Sequence, residues 1–202
     1  MDKFSLYDFL SFFLPGVVLI YILLTFYGLS LPLTFTDSDA ITALFFLAVA
    51  LVAGLILHRI TFAVLGSYLY RKTVYRAVDA IITYDDEAEV ALRKVNETLK
   101  NEKTPGSRFD EAYYQLEVFG SSDAPKAFQS MYFFLRNLFT LLIGVFIVQI
   151  GRAVAARTEI RMWYLALFCL VLLLIIGWTA AWYRRKMIVR VFHHYSLYLL
   201  RK

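Results

Sequence analysis

The sequence predicts an all-α membrane protein: four transmembrane helices, a helical cytosolic insert between the second and third spans, and a basic amphipathic C-terminal helix. Three observations carry this reading. No charged side chain occurs from Phe9 to Thr36, from Ala40 to Leu57, from Asn137 to Gly151 or from Met162 to Tyr183. Runs of roughly 18 or more such residues reach across the hydrocarbon of a bilayer. The composition is 60% hydrophobic and only 18% charged, whereas a soluble domain carries about a quarter charged residues. Finally, if the N-terminus is cytoplasmic, eighteen Lys and Arg fall on the inner side and three, Arg152, Arg157 and Arg161, on the outer. That is the positive-inside bias, and it puts both termini in the cytoplasm. The Arg-bearing third loop can instead lie in the outer headgroup layer.

The first segment, residues 1–60, is expected to hold an interfacial helix and two spans. Met1-Asp2-Lys3 is not a basic leader and Asp8 interrupts it, so the first apolar run reads as a permanent anchor. Residues 3–14 form a short amphipathic helix that turns at Pro15-Gly16 into a span over 16–33, closed by Pro32; a single kinked span is the alternative. The second span covers 40–60, and His58 and Arg59 mark its cytoplasmic end, with His58 as an interfacial anchor.

Residues 61–131 form the insert. Helical character continues through Tyr84, with Leu65, Leu69, Val74, Val78, Ile81 and Ile82 apolar and Arg71, Lys72, Arg76 and Asp79 on a polar face. The spacing predicts a helix over 85–103. Asp85 is its N-cap, Asp86, Glu87 and Glu89 sit at the positive end of its dipole, and Lys94, Lys100 and Lys103 lie toward the negative end. Ala88, Leu92, Val95 and Leu99 make one apolar stripe. Thr104-Pro105-Gly106-Ser107 reads as a turn. A shorter helix follows with Phe109, Tyr113 and Leu116 on one side, ended by Gly120. Ser121-Ser122-Asp123 then caps a further helix that accepts Pro125 in its first turn.

That helix is expected to run unbroken from 124 into the third span, within the segment 132–183 that holds spans three and four. The uncharged part is only fifteen residues, about 22 Å long. Arg136 and Arg152 bracket it and can snorkel to headgroups. Trp163 and Tyr164 open the fourth run, and Trp178, Trp182 and Tyr183 close it, an aromatic belt at each interface. Residues 184–202 form the basic cytosolic tail. Ile188, Val191, Tyr195 and Leu199 share one face, and Arg184, Arg185, Lys186 and Arg190 are expected to meet lipid headgroups at the membrane surface. Packing of this helix on the insert or on a neighbouring subunit is the alternative.

The chemistry is sparse. No Asp or Glu lies within a span, which argues against a proton- or sodium-coupled carrier. The candidate pore-lining residues are Arg136, Asn137, Thr140, Gly144, Gln149 and Arg152, where Arg rings would favour anions; hydrogen bonding between helices is the competing role for the polar ones. The pair His193-His194 points about 100° apart on a helix and makes a poor chelate. One cysteine, Cys169, excludes an internal disulfide and reads as a packing residue. Asn96-Glu97-Thr98 matches a glycosylation sequon but falls mid-helix in the cytosolic insert. Catalytic motifs, metal sites and cofactor sites are not recognisable, so no enzyme activity is expected. Eleven Lys and Arg face eleven Asp and Glu between Arg59 and Arg136, and this balance argues against direct nucleic-acid binding.

The opening Tyr7-Asp8-Phe9-Leu10-Ser11-Phe12-Phe13-Leu14-Pro15-Gly16 resembles the Asp-Phe…Pro-Gly opening of small multi-span proteins of bacterial anti-phage defence loci. These include the membrane subunit of Kiwa, the four-span effectors of cyclic-nucleotide systems and the four-span accessory protein of Cas13b CRISPR loci. The resemblance implies an oligomeric inner-membrane effector or sensor subunit. Its residues 61–131 would engage a cytosolic protein partner, copies of the chain would associate in the lipid bilayer, and the response would be altered membrane permeability. An anchor or scaffold recruiting a soluble partner, or a small solute channel, are the rival functions.

Overall fold

The computed structural model describes residues 9–28, 39–64, 67, 77–101, 103–119, 123–155 and 160–201. Every regular element among them is helical. One π-type turn, Phe9–Phe13, leads directly into α1, Leu14–Tyr27. There follow α2, Asp39–Val64; α3, Val78–Thr83; α4, Asp86–Leu99; α5, Pro105–Val118; α6, Asp123–Ala155; and α7, Ile160–Arg201. Within α2, α6 and α7, stretches of 23, 31 and 41 residues are long and apolar enough to cross a membrane. The apolar stretch in α1, Ser11–Thr25, is shorter.

The chain forms two compact units. The first comprises residues 1–65 and 133–177, the second residues 66–132 and 178–202.

In the first unit the backbone does not break at Pro15-Gly16. Pro15 sits in the first turn of α1, where a missing N–H is tolerated, and the preceding Phe13 is already helical. Over the described residues the helix is continuous through Pro15-Gly16; residues 1–8 lie outside them. The helix also ends earlier than expected, at Tyr27 rather than near Pro32. Gly28 takes the left-handed conformation (φ 63°) and its N–H bonds the Leu23 carbonyl, which closes the helix end.

Glycine decides how α1 meets α2. A Cβ placed on Gly16 would fall on the Ala50 carbonyl oxygen and 2.7 Å from the Gly54 nitrogen. A Cβ on Gly54 would fall on the Phe12 carbonyl oxygen. Ala50 and Gly54, one turn apart, therefore form the small-residue face that lets two backbones touch in an apolar medium. Gly177 of α7 makes room for a side chain: the Phe139 ring of α6 lies against it. Outward, the unit shows Leu44, Leu47, Leu55 and Ile56 of α2, Ile147 of α6, and Leu167, Phe168 and Leu174 of α7. A unit that buries polar side chains and displays leucine and phenylalanine is built for lipid as its solvent.

The second unit follows the opposite rule. Its core is Ile81, Ile82, Ala88, Leu92, Val95, Ala112, Leu116, Ile188, Val191, Phe192 and Tyr195, with Leu99, Phe109 and Tyr113 packed around it. The α4 stripe and the apolar face of the C-terminal part of α7 thus pack on protein, as the packing alternative for the tail required. Asp85 caps α4, accepting from the N–H groups of Glu87 at 3.1 Å and Ala88 at 3.4 Å. The helix stops at Leu99, not at 103, because Lys100 turns left-handed (φ 50°). Thr104-Pro105-Gly106 is not a turn between helices but the start of α5, with Pro105 at its first position. The Gly106 N–H there is met by the Asp79 carboxylate at 3.3 Å.

Arg108 ties these ends together. It is buried, and it donates to Asn96 Oδ1 at 2.9 Å and to Glu111 Oε2 at 2.7 Å. Asn96, the sequon asparagine, is thereby engaged inside the fold. The Tyr113 hydroxyl donates to Gln129 Oε1 at 2.6 Å, and burial pushes its phenol above the ordinary value.

Two predictions follow from this packing. Gly16→Ala and Gly54→Ala should each lower stability in detergent by about 1–3 kcal/mol through overpacking, read as the midpoint of thermal or denaturant unfolding. Gly144→Ala, where a Cβ meets nothing within 4 Å, should leave the midpoint unchanged or slightly raised. In the second unit, Asp85→Ala should remove about 1 kcal/mol of capping energy and speed amide exchange along the first turn of α4. Asp85→Ser, which keeps a capping oxygen, should restore most of the protection.

Candidate functional site

Proline creates the most informative site in the first unit. Pro15 has no N–H to give to the carbonyl four residues earlier, which belongs to Ser11. In lipid such a carbonyl needs a protein partner. Asn137 of α6 supplies one: its Nδ2 donates to the Ser11 carbonyl at 2.7 Å. That bond fixes which end of the amide is nitrogen, since a carbonyl only accepts.

The same Nδ2 lies 3.2 Å from Nδ1 of His58 on α2, and Nη2 of Arg136 lies 3.2 Å from that ring nitrogen too. Two donors converge on one nitrogen. His58 Nδ1 is therefore the acceptor, and the ring proton sits on Nε2. Aromatic rings enclose the cluster. Phe12 stands edge-on to His58 at 4.8 Å, Phe133 lies at 5.8 Å, and the Arg136 guanidinium rests over the Phe133 ring at 4.4 Å. One turn further along α6, the Thr140 hydroxyl reaches the Arg136 carbonyl at 3.1 Å and accepts from Thr61 of α2 at 2.7 Å. α1, α2 and α6 are thus joined by polar contacts in the interior of an apolar unit.

The expected pore-lining residues separate here. Arg136, Asn137 and Thr140 come together in this cluster, and Gln149 is buried elsewhere on α6. Gly144 and Arg152 are exposed. The six do not share one open face. Arg136 is 2% exposed and Asn137 0%. A guanidinium held by an imidazole and an aromatic face lies within the unit, not at its rim. His58, expected as an interfacial anchor, is the hub of the cluster. Its role was hidden because Ser11, His58 and Asn137 are far apart in sequence; the usable signal was Pro15, whose orphaned carbonyl demands a donor. Among the described residues, Ser11 Oγ, Asn137 Oδ1 and Gln149 Oε1 are buried without a hydrogen-bond partner.

The expected headgroup contacts also resolve individually. Arg185 makes a bidentate pair with Asp85, and Lys186 bonds Glu87 at 2.8 Å. Arg184 is buried, with its guanidinium 5.4 Å from the Tyr132 ring. Arg190 is exposed, 6.0 Å from the Phe128 ring, and Arg185 is exposed too but carries its carboxylate partner. The carboxylates that hold Arg185 and Lys186 are those placed at the start of α4 for its dipole. Among the described residues no three His, Cys, Asp or Glu side chains gather as a metal site.

The fold and site define an all-helical protein with helices able to cross a membrane. Comparison with protein-family profiles, characterised proteins and solved structures returns no match.

The cluster makes a sharp prediction. Asn137→Leu should destabilise the chain in detergent by about 1–3 kcal/mol, the usual cost of an orphaned buried polar group. Adding Pro15→Ala returns an N–H to the Ser11 carbonyl, so the double variant should recover part of that loss in a double-mutant cycle of unfolding midpoints. No recovery would show that the carbonyl is not what Asn137 serves.

Proposed function

We propose that this chain is a four-pass protein of the bacterial cytoplasmic membrane, with both termini and residues 61–131 in the cytoplasm. It acts without catalysis, as the membrane subunit of an antiviral defence system. Copies associate in the bilayer, and the helical cytosolic unit engages a protein partner. The observation that carries this reading is the opposite solvent logic of the two units. One displays leucine and phenylalanine along its long helices; the other gathers aliphatic side chains in a core beneath charged helices, one of them capped by Asp85. A small chain with that division is a device for holding a water-facing surface at a membrane. The Tyr7–Gly16 resemblance supplies the defence context.

Altered permeability is the second reading of the same assembly. Its specific support is the exposed strip of α6 that carries Gly144, Ile147, Val148, Gly151 and Arg152. The buried Arg136 and Asn137 and the half-buried Thr140 are engaged within one copy, so any pore would be lined by this other face.

Two measurements test the proposal. Compartment reporters at the C-terminus and at Lys103 should read cytoplasmic, and one inserted within 156–159 should read external; any other pattern removes the four-pass topology. Expressed with its genomic neighbours, the chain should reduce phage plating. Charge reversals on the exposed side of α4, such as Arg93→Glu with Lys94→Glu, should abolish protection by at least tenfold while leaving expression intact. If protection persists with depolarisation abolished by Arg152→Glu, the recruiting role stands and the permeability role falls.

A further inference from the structure

Beside the ion pair of Asp85 and Arg185 the second unit has a cavity of about 210 Å³, lined by Tyr84, Trp178, Trp182 and that pair. The aromatic side chains are poorly covered: Tyr84 is 83% exposed and Trp178 77%. Large amphipathic rings at such exposure need a reason in water. At the edge of a bilayer they have one, since indole and phenol rings settle at headgroup depth.

We propose that this cavity binds the headgroup of a zwitterionic phospholipid, with the phosphate on Arg185 and the ammonium against the Tyr84 and Trp178 rings. The inference rests on the membrane reading above. Charge balance selects the class of lipid. Both Asp85 oxygens accept from Arg185 through Nε and Nη2, which leaves Nη1 directed elsewhere and the pair neutral as a whole. The neighbouring Lys186 is matched by Glu87. A site with no net positive charge offers little to an anionic lipid beyond a single donor. A headgroup carrying its own cation gains in addition from aromatic faces, the recognition used for ammonium groups generally. The Asp85 carboxylate is 4% exposed and has the α4 cap to maintain, so it holds Arg185 in place and does not itself serve as the ammonium partner.

The sequence provides the probe. It contains three tryptophans, Trp163, Trp178 and Trp182. One chain keeps only Trp178 (Trp163→Phe, Trp182→Phe); a second keeps only Trp163 (Trp178→Phe, Trp182→Phe). Each full-length chain is placed in vesicles containing phospholipids with dibrominated acyl chains and phosphoethanolamine, phosphocholine or phosphoglycerol headgroups, at equal mole fraction. Bromine quenches indole fluorescence on contact, and the quenching gives relative lipid affinities. The Trp178 chain should prefer the two zwitterionic lipids over phosphatidylglycerol by about threefold, as one exposed cation–π contact supplies. Tyr84→Ser should reduce that preference, and the Trp163 chain should show none. Equal quenching of Trp178 by all three lipids, or stronger quenching by phosphatidylglycerol, would overturn the site while leaving the membrane reading intact. No quenching of either tryptophan by any lipid would remove both.

Discussion

A buried backbone carbonyl must be answered by a donor, and Pro15 denies one to Ser11, which is 0% exposed. The organisation of the first unit follows from that constraint. Asn137 meets the Ser11 carbonyl, and in doing so it brings α6 against the turn that precedes α1. The same amide and Arg136 both give hydrogen bonds to one nitrogen of His58, which fixes α2 in the arrangement. Water would supply such a donor at no structural cost; a lipid environment forces the chain to supply it. The proline is therefore a specification: it makes one packing of these helices better satisfied than its neighbours.

Glycine supplies the complementary condition. The hydrogen bond reaches its target only if α1 and α2 lie close enough for Phe12 to pack edge-on to His58. Gly16 and Gly54 permit that approach, since any Cβ at either would meet a carbonyl oxygen. Apolar side chains cannot drive helix association when the solvent is equally apolar, so close backbone contact and polar contacts carry the load. Pro15 and Gly16 are adjacent in sequence and perform both tasks, one by removing a donor and the other by removing a side chain.

Much of the architecture was legible because it rests on patterns of short range. The helix over 86–99, its Asp85 cap and its Ala88, Leu92 and Val95 stripe followed from spacing and dipole arguments that need no tertiary information. The unbroken helix from 123 through 155 was legible for the same reason. Local rules failed where two elements share a boundary. Pro105-Gly106 has the composition of a turn, yet Asp79 from α3 satisfies the Gly106 N–H and lets a helix begin there. The tail was ambiguous because a basic amphipathic face suits lipid and protein equally. Only the position of Asp85 and Glu87, a hundred residues earlier, decides that Arg185 and Lys186 meet carboxylates. The polar cluster was the least legible part. Asn137 and Arg136 were identified as unusual residues, but their partners are Ser11 and His58, and nothing in the local sequence of any of the four names the others.

Asp85 shows how the second unit makes one charge serve two contacts. One carboxylate caps α4 through two N–H groups and accepts both prongs of Arg185. Capping alone could be done by serine, and an ion pair alone by any exposed acid; combining them couples the start of α4 to the C-terminal part of α7. A buried arginine-carboxylate pair on its own is a poor source of stability, because desolvation consumes most of the Coulomb gain. Here Arg185 remains partly open to solvent, with a side-chain exposure of 46%, so little desolvation is incurred by the cation. What the pair provides is register: it selects which turn of α7 faces the cap, and hence which of Ile188, Val191 and Phe192 enter the core. The first unit is organised by a different chemistry. There the bond is neutral, from the Asn137 amide to the Ser11 carbonyl, with the Arg136 guanidinium beside it on His58. In each unit polar contacts tie together elements that are far apart in sequence.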